Sequence, residues 1–482
     1  MGVRTGEQFV NSLRDGRTVY VGGERVDDVT AHPPFRGVVA SLASLYDLQQ
    51  QHSNEMTFAS PSSGEPVAAS FFMAESVEEV EWRIRAEQSR ADYTYGLMGR
   101  TPDFCNALIT DFATGVAELG AREPRFGENM RRYYEECRER DLCLTHALVD
   151  PQVDRSRGPA EQSDPFLAMR VVRETAGGVI VRGAKMLSTL APFANELWIG
   201  PFYPRRAGEE DYTLCFAIPC ATPGLKFICR EAYDTRRGDF DRPLTSHYDE
   251  EDALAVFDDV EVPWERMFIY RDIRIFNSIM VRRPGYTQLQ AVIRGLAKLK
   301  FLAGLACQIA ESIGRTEAIH VQAQLGELIA NVELVKGLVR AAAQEVSAAK
   351  REEILTHRSI AATLWVFIPQ CQVRAIQVIR ELSSSGLIMT PSEKDFANPE
   401  IAAYLEKYLR GKDVDARDRV RLFKLAWDMI GEQFGGRQLQ YEWFYSGDPY
   451  FTRQRFYRSP VAQEYRDIVT RLLNSRKAGG NT

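Results

Sequence analysis

The sequence lacks most of the patterns that define metal, membrane and nucleic-acid sites. Its eight cysteines form no Cys-x-x-Cys pair, and its six histidines form no His-x-x-x-His pattern, so no zinc site is indicated. No apolar run approaches the roughly 20 residues that span a bilayer. Basic residues are scattered and the net charge is −6, which excludes the concentrated positive charge of nucleic-acid binding. We expect a cytoplasmic globular protein with buried free thiols and with no metal, membrane or nucleic-acid partner.

Nucleotide-phosphate motifs are missing as well. No GxGxxG sequence follows a strand and opens a helix, and no P-loop is present. Gly177, Gly178 and Gly183 lie in a β-rich segment and are typical of a hairpin turn. An enzyme with this sequence that carries out redox chemistry would therefore need reducing equivalents from a separate protein.

The pattern of apolar residues changes twice along the chain. Residues 1–141 predict a helical domain, with a capping box at Ser76 and Glu79. Residues 142–272 contain short β-branched and aromatic runs between turns, which predict a β domain. Residues 273–482 have helical spacing over long stretches, which predicts a helical bundle. This layout resembles the acyl-CoA dehydrogenase-like architecture, which is mainly α with a central β-barrel domain.

The segment 94–104, TYGLMGRTPDF, interrupts two predicted helices. Thr101, Pro102 and Asp103 are explained by the start of a helix that runs toward Leu119. The two glycines before them let the backbone approach another part of the protein closely. Arg100 has two interpretations, a salt bridge to Asp103 or a neighbouring helix, and a functional cation.

Three other polar residues are open to the same choice between a structural and a functional role. His146, in LTHALVDPQVDR, stands where the helical region gives way to the β region, and an isolated histidine is more often structural than catalytic. Ser188 and Thr189, in MLSTLAP, follow an apolar strand and precede a proline. Their hydroxyls suit either a turn cap or a binding site.

Five segments spread along the chain together resemble one family. They are TYGLMGRTPDF, LTHALVDPQVDRSR, GAKMLSTLAPFANELWIG, FDDVEVPWERMFIYRD and GRQLQYEWFYSGDPYF. In this order they are similar to the 4-hydroxyphenylacetate 3-hydroxylase family, the large oxygenase components of two-component flavin monooxygenases, which includes chlorophenol monooxygenases. The resemblance covers nearly the whole chain.

The resemblance implies a reaction and its partners. A separate flavin reductase would supply reduced FAD, which the oxygenase would bind between its β domain and its bundle. Molecular oxygen would add at flavin C4a, and the resulting hydroperoxide would hydroxylate a phenolic ring. The family also implies a homotetramer arranged as a dimer of dimers, with the C-terminal segment packing on a neighbouring subunit.

The resemblance also implies roles for particular residues. Arg100 would hold the phenolic oxygen, with His146 beside it as a hydrogen-bond partner or base. Thr189, with Ser188, would lie near flavin N5 and the C4a adduct, where its hydroxyl would act in catalysis by hydrogen-bonding the peroxide. Further flavin contacts are implied for Gln152, Arg155 and Arg294, and walls of the substrate pocket for Phe104 and Tyr445.

The chain departs from the family at two points. Hydroxyphenylacetate-type members have tyrosine where this chain has Phe104, and chlorophenol-type members have a histidine in a stretch that here offers Gln288 and Gln290. The substrate therefore stays open between a simple phenol and a larger aromatic intermediate of specialised metabolism, either free or carried on another protein.

Two other functions are compatible with the same fold. An acyl-CoA dehydrogenase-like enzyme would need a carboxylate base over a tightly held FAD, for which Glu311 and Glu327 are candidates. A non-catalytic helical scaffold would use the long amphipathic helices only for oligomerisation.

Overall fold

Helices form the two ends of the chain in the computed structural model, which describes residues 2–279, 285–348, 360–445 and 447–478. The first helical region contains α1 (Gly6–Ser12), α2 (Arg36–Gln51), α3 (Ser53–Met56), α4 (Val77–Tyr93), α5 (Pro102–Ala113), α6 (Val116–Leu119) and α7 (Pro124–Arg140). The later helices are α8 (Gly238–Asp241), α9 (Thr245–Tyr248), α10 (Ile273–Ile279), α11 (Tyr286–Ser312), α12 (Ile319–Ala348), α13 (Ile360–Ser383), α14 (Glu393–Ala397), α15 (Ala402–Tyr408), α16 (Ala416–Ile430), α17 (Gln433–Phe444), α18 (Pro449–Arg458) and α19 (Pro460–Ala478).

The β domain is made of two sheets that pack face to face. The strands of the described residues are β1 (Thr18–Val21), β2 (Glu24–Val26), β3 (Thr57–Ala59), β4 (Pro66–Ala68), β5 (Leu144–His146), β6 (Arg170–Glu174), β7 (Gly178–Thr189), β8 (Glu196–Ile199), β9 (Leu214–Pro219), β10 (Leu225–Cys229), β11 (Asp252–Pro263) and β12 (Met267–Tyr270). The first four come from the first helical region, where β3 and β4 form a two-stranded sheet of their own. The larger sheet has the order β2-β1-β10-β11-β7-β6, and the smaller has β12-β9-β8-β5. Val181 and Phe257 of the first meet Leu197 and Phe216 of the second in one apolar core.

The first helical region contributes two strands to the larger sheet, which the sequence did not predict. β1 pairs in parallel with β10, with Thr18 opposite Lys226, and β2 pairs with β1. Both strands are short, and the partner of β1 lies about 200 residues along the chain. Local patterns therefore could not identify them.

Several local predictions are confirmed and one is wrong. The Ser76–Glu79 capping box forms in both directions, each bond being 3.2 Å. β6 and β7 form the predicted hairpin around Gly177. The helix predicted from Pro102 to Leu119 is instead divided at Thr114 and Gly115. There the Thr114 hydroxyl bonds back to the carbonyl of Asp111, and glycine disfavours continuation of the helix.

Two sequence features concern burial. The eight cysteines are all free, and all are buried except Cys229 and Cys307, which are half-buried. Among the described helices, none combines the length and the apolar character needed to cross a membrane.

A carboxylate from the first helical region caps the N-terminus of α11, a helix of 27 residues. The two oxygens of Asp111 on α5 accept hydrogen bonds from the backbone N–H groups of Gly285, Tyr286 and Thr287, at 3.0–3.1 Å. The Thr287 hydroxyl adds a fourth bond of 2.6 Å. This satisfies donors that a helix N-terminus leaves free, and it fixes α5 against the start of α11.

We expect Asp111→Ala to lower the free energy of unfolding by about 2–4 kcal/mol, because buried helix-terminal donors lose a charged acceptor. Urea unfolding followed by circular dichroism measures the change. Asp92→Ala is the matched control, since Asp92 is exposed and pairs at the surface with Lys300. Equal midpoints for the two variants would contradict this account of the junction.

Candidate active site

The turn between α4 and α5 uses glycines to reach the C-terminal bundle. Gly96 has a φ of +66°, and a Cβ on it would lie 2.4 Å from the carbonyl oxygen of Arg294 on α11. A Cβ on Gly99 would lie 2.3 Å from Cε1 of Tyr441 on α17. Only glycine permits both approaches. The turn therefore places the next residue, Arg100, where α11 and α17 meet the β domain.

Arg100 is buried without a carboxylate on its guanidinium. Its Nε–H donates to Nε2 of His146 at 2.8 Å, and its backbone N–H donates to Oε1 of Glu250 at 2.7 Å. Asp103 does not pair with it and lies instead 3.8 Å from Arg90. Among the described residues, no Asp or Glu forms an ion pair with the Arg100 guanidinium. The salt-bridge interpretation of Arg100 is therefore wrong, and the cation is left for another anion.

Three aromatic rings surround this cation. The Arg100 Cζ lies 3.9 Å from the ring centre of Phe104, 4.4 Å from that of Tyr445 and 5.4 Å from that of Tyr441. The Tyr445 hydroxyl donates to the carbonyl of Gly99 at 2.8 Å, which holds its ring in place. The rings supply apolar walls while their faces stabilise the positive charge. This arrangement can accept a flat aromatic ligand with a negative oxygen.

His146 is neutral and can donate only through Nδ1. Burial, and then the adjacent Arg100 cation, hold the pKa of His146 well below its usual value. Because Nε2 accepts from Arg100, the single ring proton belongs on Nδ1, a buried nitrogen that has no hydrogen-bond partner in the described part of the chain. A base would need a free lone pair that neither nitrogen has. The geometry therefore favours the hydrogen-bond role of His146 over the base role.

Ser188 and Thr189 lie at the same end of the β domain. The Thr189 hydroxyl donates to Oδ1 of Asp252 at 2.7 Å, and both side chains are buried. Thr145, the residue before His146, places its hydroxyl 3.4 Å from that of Ser188 and donates to the Thr189 carbonyl. Ser188 and Thr189 are thus bound to β5, the strand that carries His146. Since its proton is committed to Asp252, the Thr189 oxygen is free only to accept.

A run of four buried acids, residues 249–252, supports both the buried cation and the hydroxyls. Arg437 on α17 donates to Glu250 at 3.0 Å and to both oxygens of Asp252 at 2.9 and 3.0 Å. Arg230 approaches Asp252 from the other side at 3.2 Å. Burial alone would raise the pKa of Asp252, but the two guanidiniums outweigh it and lower that pKa. Sequence reasoning missed this set, although four consecutive acids directly before an apolar strand were a visible signal.

Glu251, within the same run, differs from Glu250 and Asp252 in its contacts. Neither of its carboxyl oxygens has a hydrogen-bond partner among the residues that the structure describes, and Arg230 lies 3.6 Å away. Burial raises the pKa of Glu251 to about 9 in spite of that cation. Burial therefore favours the protonated form of the Glu251 carboxyl.

The guanidinium of Arg294, a predicted flavin contact, is engaged by other groups of the protein. It donates to Glu442 and to the carbonyl of Gly96, both at 2.8 Å, and Glu442 also binds Lys298 at 2.9 Å. Burial opposes ionisation of Glu442, but its two cations lower its pKa to about 2. The Arg294 Cζ also lies 4.3 Å from the Tyr445 ring centre. These contacts make Arg294 a support for the aromatic wall and do not support a diphosphate-binding role.

Gln152 and Arg155 lie on an exposed loop after β5. Arg155 and Asp448 both act electrostatically on Tyr203, which puts this loop beside the start of α18. Both side chains are accessible to a ligand. Their assignment to the flavin stays a prediction.

The arrangement of a helical region, a two-sheet β domain and a helical bundle defines the acyl-CoA dehydrogenase-like fold. An acyl-CoA dehydrogenase from Geobacillus kaustophilus superimposes with a TM-score of 0.55 at 13% identity, covering 94% of this chain and 96% of that chain. A 4-hydroxybutyryl-CoA dehydratase from N. maritimus superimposes with a TM-score of 0.88 at 23% identity, covering 98% and 95%. At these identities the likeness shows the fold alone.

The chain belongs to the 4-hydroxyphenylacetate 3-hydroxylase family, whose N-terminal and C-terminal models match residues 5–269 and 285–474. It is 37% identical to the 4-hydroxyphenylacetate 3-monooxygenase oxygenase component of Thermus thermophilus, over 98% of this chain and 97% of the relative. A crystal structure of such a component complexed with FAD and 4-hydroxyphenylacetate superimposes with a TM-score of 0.91 at 37% identity, covering 98% and 99%. A Streptomyces globisporus relative, 35% identical over 99% and 92%, is a (3S)-3-amino-3-(3-chloro-4-hydroxyphenyl)propanoyl-[peptidyl-carrier protein] monooxygenase.

We expect Glu251→Gln to flatten the pH dependence of stability. Folded Glu251 holds its proton up to about pH 9, whereas its unfolded value is 4.5. The folded state binds more protons in this window, so this carboxyl makes stability fall as pH rises. Unfolding free energies from about pH 5 to about pH 8 should fall more steeply for the wild type than for the neutral variant. Glu265→Gln, at an exposed carboxylate, should keep the wild-type slope, and an identical slope for Glu251→Gln would show that Glu251 is ionised when folded.

Proposed function

We propose that this protein is the oxygenase component of a two-component monooxygenase that uses reduced FAD to hydroxylate a phenolic ring. The observation that carries the proposal is the buried Arg100 cation, which has aromatic walls and no carboxylate partner among the described residues. A phenolate combines the negative oxygen and the flat ring that this site accommodates. The family membership and the named activities of the relatives support the same reaction.

The chain's own residues bind and orient the phenol. The Arg100 guanidinium stabilises the phenolate oxygen, and the Nδ1–H of His146 donates to it. Because neither nitrogen of His146 can take up the phenolic proton, the substrate enters as the phenolate or gives its proton to solvent. Phe104, Tyr441 and Tyr445 hold the ring and exclude water from it.

The residues beside the phenol site fit a reduced flavin. The Thr189 oxygen is a buried acceptor, because its own proton is committed to Asp252 at 2.7 Å. A buried acceptor of this kind suits an N–H donor such as N5 of reduced flavin, and Ser188 adjoins it. Gln152 and Arg155 are the accessible donors for the rest of the cofactor. Bound reduced FAD would supply the activation of molecular oxygen, the co-substrate.

A separate flavin reductase completes the proposal. No dinucleotide-binding glycine motif occurs in the sequence, and the relatives are named as oxygenase components. The substrate is either a free phenol or an aromatic intermediate of specialised metabolism carried on another protein, as in the name of the Streptomyces globisporus relative. A cytoplasmic location agrees with eight free thiols.

The two glutamates considered as bases for dehydrogenase chemistry lie outside the buried site. Glu311 is exposed, and Glu327 is exposed and paired with Arg374 at 2.8 Å. Neither side chain belongs to the buried site around Arg100. A purely structural scaffold would also not explain why a cation and its aromatic walls are buried together.

We also propose that the protein assembles as a homotetramer through its C-terminal helices. Along α19, apolar side chains that are more than half exposed recur at helical spacing, namely those of Tyr465, Ile468, Val469, Leu472 and Leu473. Such a stripe is typical of a helix that packs on another surface. A second copy of the chain is the partner that the family resemblance favours.

The Arg100→Ala variant tests the function. We expect product formation from 4-hydroxyphenylacetate to fall by about 100-fold or more, because the phenolate loses its charged partner. Binding of reduced FAD in an anaerobic titration should change little. Arg182→Ala, at a partly exposed arginine on β7 that pairs with Asp259, is the control. The proposal is wrong if the wild type forms no hydroxylated product from any phenol tested and reoxidises reduced FAD as fast as free flavin reacts.

A second variant tests the role of Phe104 in phenol binding. Phe104→Tyr places a hydroxyl donor beside Arg100 and His146, and we expect it to tighten the binding of 4-hydroxyphenylacetate about tenfold. Phe104→Leu removes the ring and should weaken binding. Equilibrium titration of the flavin-free protein measures both. Unchanged affinity in both variants would place the ligand elsewhere.

The oligomer is tested on α19. Ile468→Asp with Leu472→Asp puts two charges on the apolar stripe, and we expect the tetramer to dissociate in size-exclusion chromatography with light scattering. Thr470→Asp with Asn474→Asp adds the same charge on the other face of the helix. Dissociation by both pairs, or by neither, would contradict the assigned interface.

A further inference from the structure

One arginine connects the two halves of the candidate site without belonging to either. Arg437 lies on α17 with its side chain only 7% exposed, and its guanidinium contacts two carboxylates. Nη1 donates to Oε2 of Glu250 at 3.0 Å, while Nη2 and Nε donate to Oδ1 and Oδ2 of Asp252 at 2.9 and 3.0 Å. The planar guanidinium therefore fixes the distance between these two side chains.

Each carboxylate holds one part of the site. The second oxygen of Glu250 accepts the backbone N–H of Arg100 at 2.7 Å. Asp252 Oδ1 accepts the Thr189 hydroxyl at 2.7 Å. Arg437 is thus linked through Glu250 to Arg100, the cation that would hold the phenol. It is linked through Asp252 to Thr189, whose hydroxyl would face the flavin.

We propose that Arg437 is a positioning residue that, through Glu250 and Asp252, sets the position of Arg100 relative to Thr189. This inference rests on the proposed function, because the two positioned groups are those assigned to phenol and flavin. The Arg437 bridge, meaning Arg437 with Glu250 and Asp252, joins the three parts of the chain. Glu250 holds the α4–α5 turn, Asp252 begins β11, and Arg437 comes from the bundle.

The distance between Arg100 and Thr189 matters for catalysis because the reacting atoms belong to two ligands, the phenol and the flavin. Errors of about 1 Å in the relative placement of reacting groups can cost about 100-fold in rate. Arg437 also packs on Tyr441 with its Cζ 3.9 Å from the ring centre, and Tyr441 in turn contacts Gly99. The bridge therefore acts on the Arg100 turn by two routes.

The test uses two binding measurements that do not require turnover. The first is the spectral titration of the flavin-free protein with 4-nitrophenol, which reports on the phenolate environment at Arg100. The second is the anaerobic titration with reduced FAD. We expect Glu250→Gln to weaken 4-nitrophenol about tenfold and Asp252→Asn to weaken reduced FAD about tenfold, each leaving the other ligand within about twofold.

Arg437→Gln should weaken both ligands and should lower the product formed per flavin oxidised by about tenfold. Arg437→Lys keeps the charge but not the planar guanidinium that binds both carboxylates. The folded variant should therefore still form less product per flavin oxidised. Arg230 stays on Asp252 in both variants, which limits the loss of stability. Arg83→Gln is the control, since Arg83 is buried and paired with Glu87 at 2.9 Å in the first helical region.

The inference would be overturned if both Arg437 variants kept the wild-type affinities for both ligands and the wild-type amount of product per flavin oxidised. Equal losses in Arg83→Gln would overturn it too, because they would report general destabilisation. A wild-type protein that neither binds 4-nitrophenol nor hydroxylates a phenol would overturn the proposed function together with the inference.

Discussion

Taking a guanidinium out of water is costly unless an anion or several acceptors replace the lost solvation. At Arg100 the fold supplies a neutral imidazole, a carbonyl and aromatic faces in place of a carboxylate. The cation is therefore stabilised enough to be buried but remains unneutralised. The aromatic walls and the neutral state of His146 both serve to keep the Arg100 charge buried and available to a ligand.

The charges around Arg100 are arranged so that they cancel among themselves. Asp252 lies between Arg437 and Arg230, and Glu442 is shared by two cations of α11. Each anion is thereby held ionised beside its own cations, so neither is drawn to Arg100. Paired charges of this kind specify position more than they add stability.

The sequence predicted the features that depend on neighbouring residues. The capping box at Ser76, the hairpin at Gly177 and the close approach allowed by the glycines before Arg100 all follow from local chemistry. The contacts of Arg437 and of Arg294 did not, because their partners lie roughly 150 to 190 residues away along the chain. A charged residue within an amphipathic helix looks the same in sequence whether it faces solvent or a buried carboxylate.

The strand β1 ties the order of synthesis to the order of folding. Its parallel partner, β10, emerges from the ribosome about 200 residues later. Until then β1 is paired only with β2, and its other edge has no strand to bind. The first and middle parts of this chain therefore mature together, so the amino-terminal region alone is a poor candidate for an independently expressed fragment.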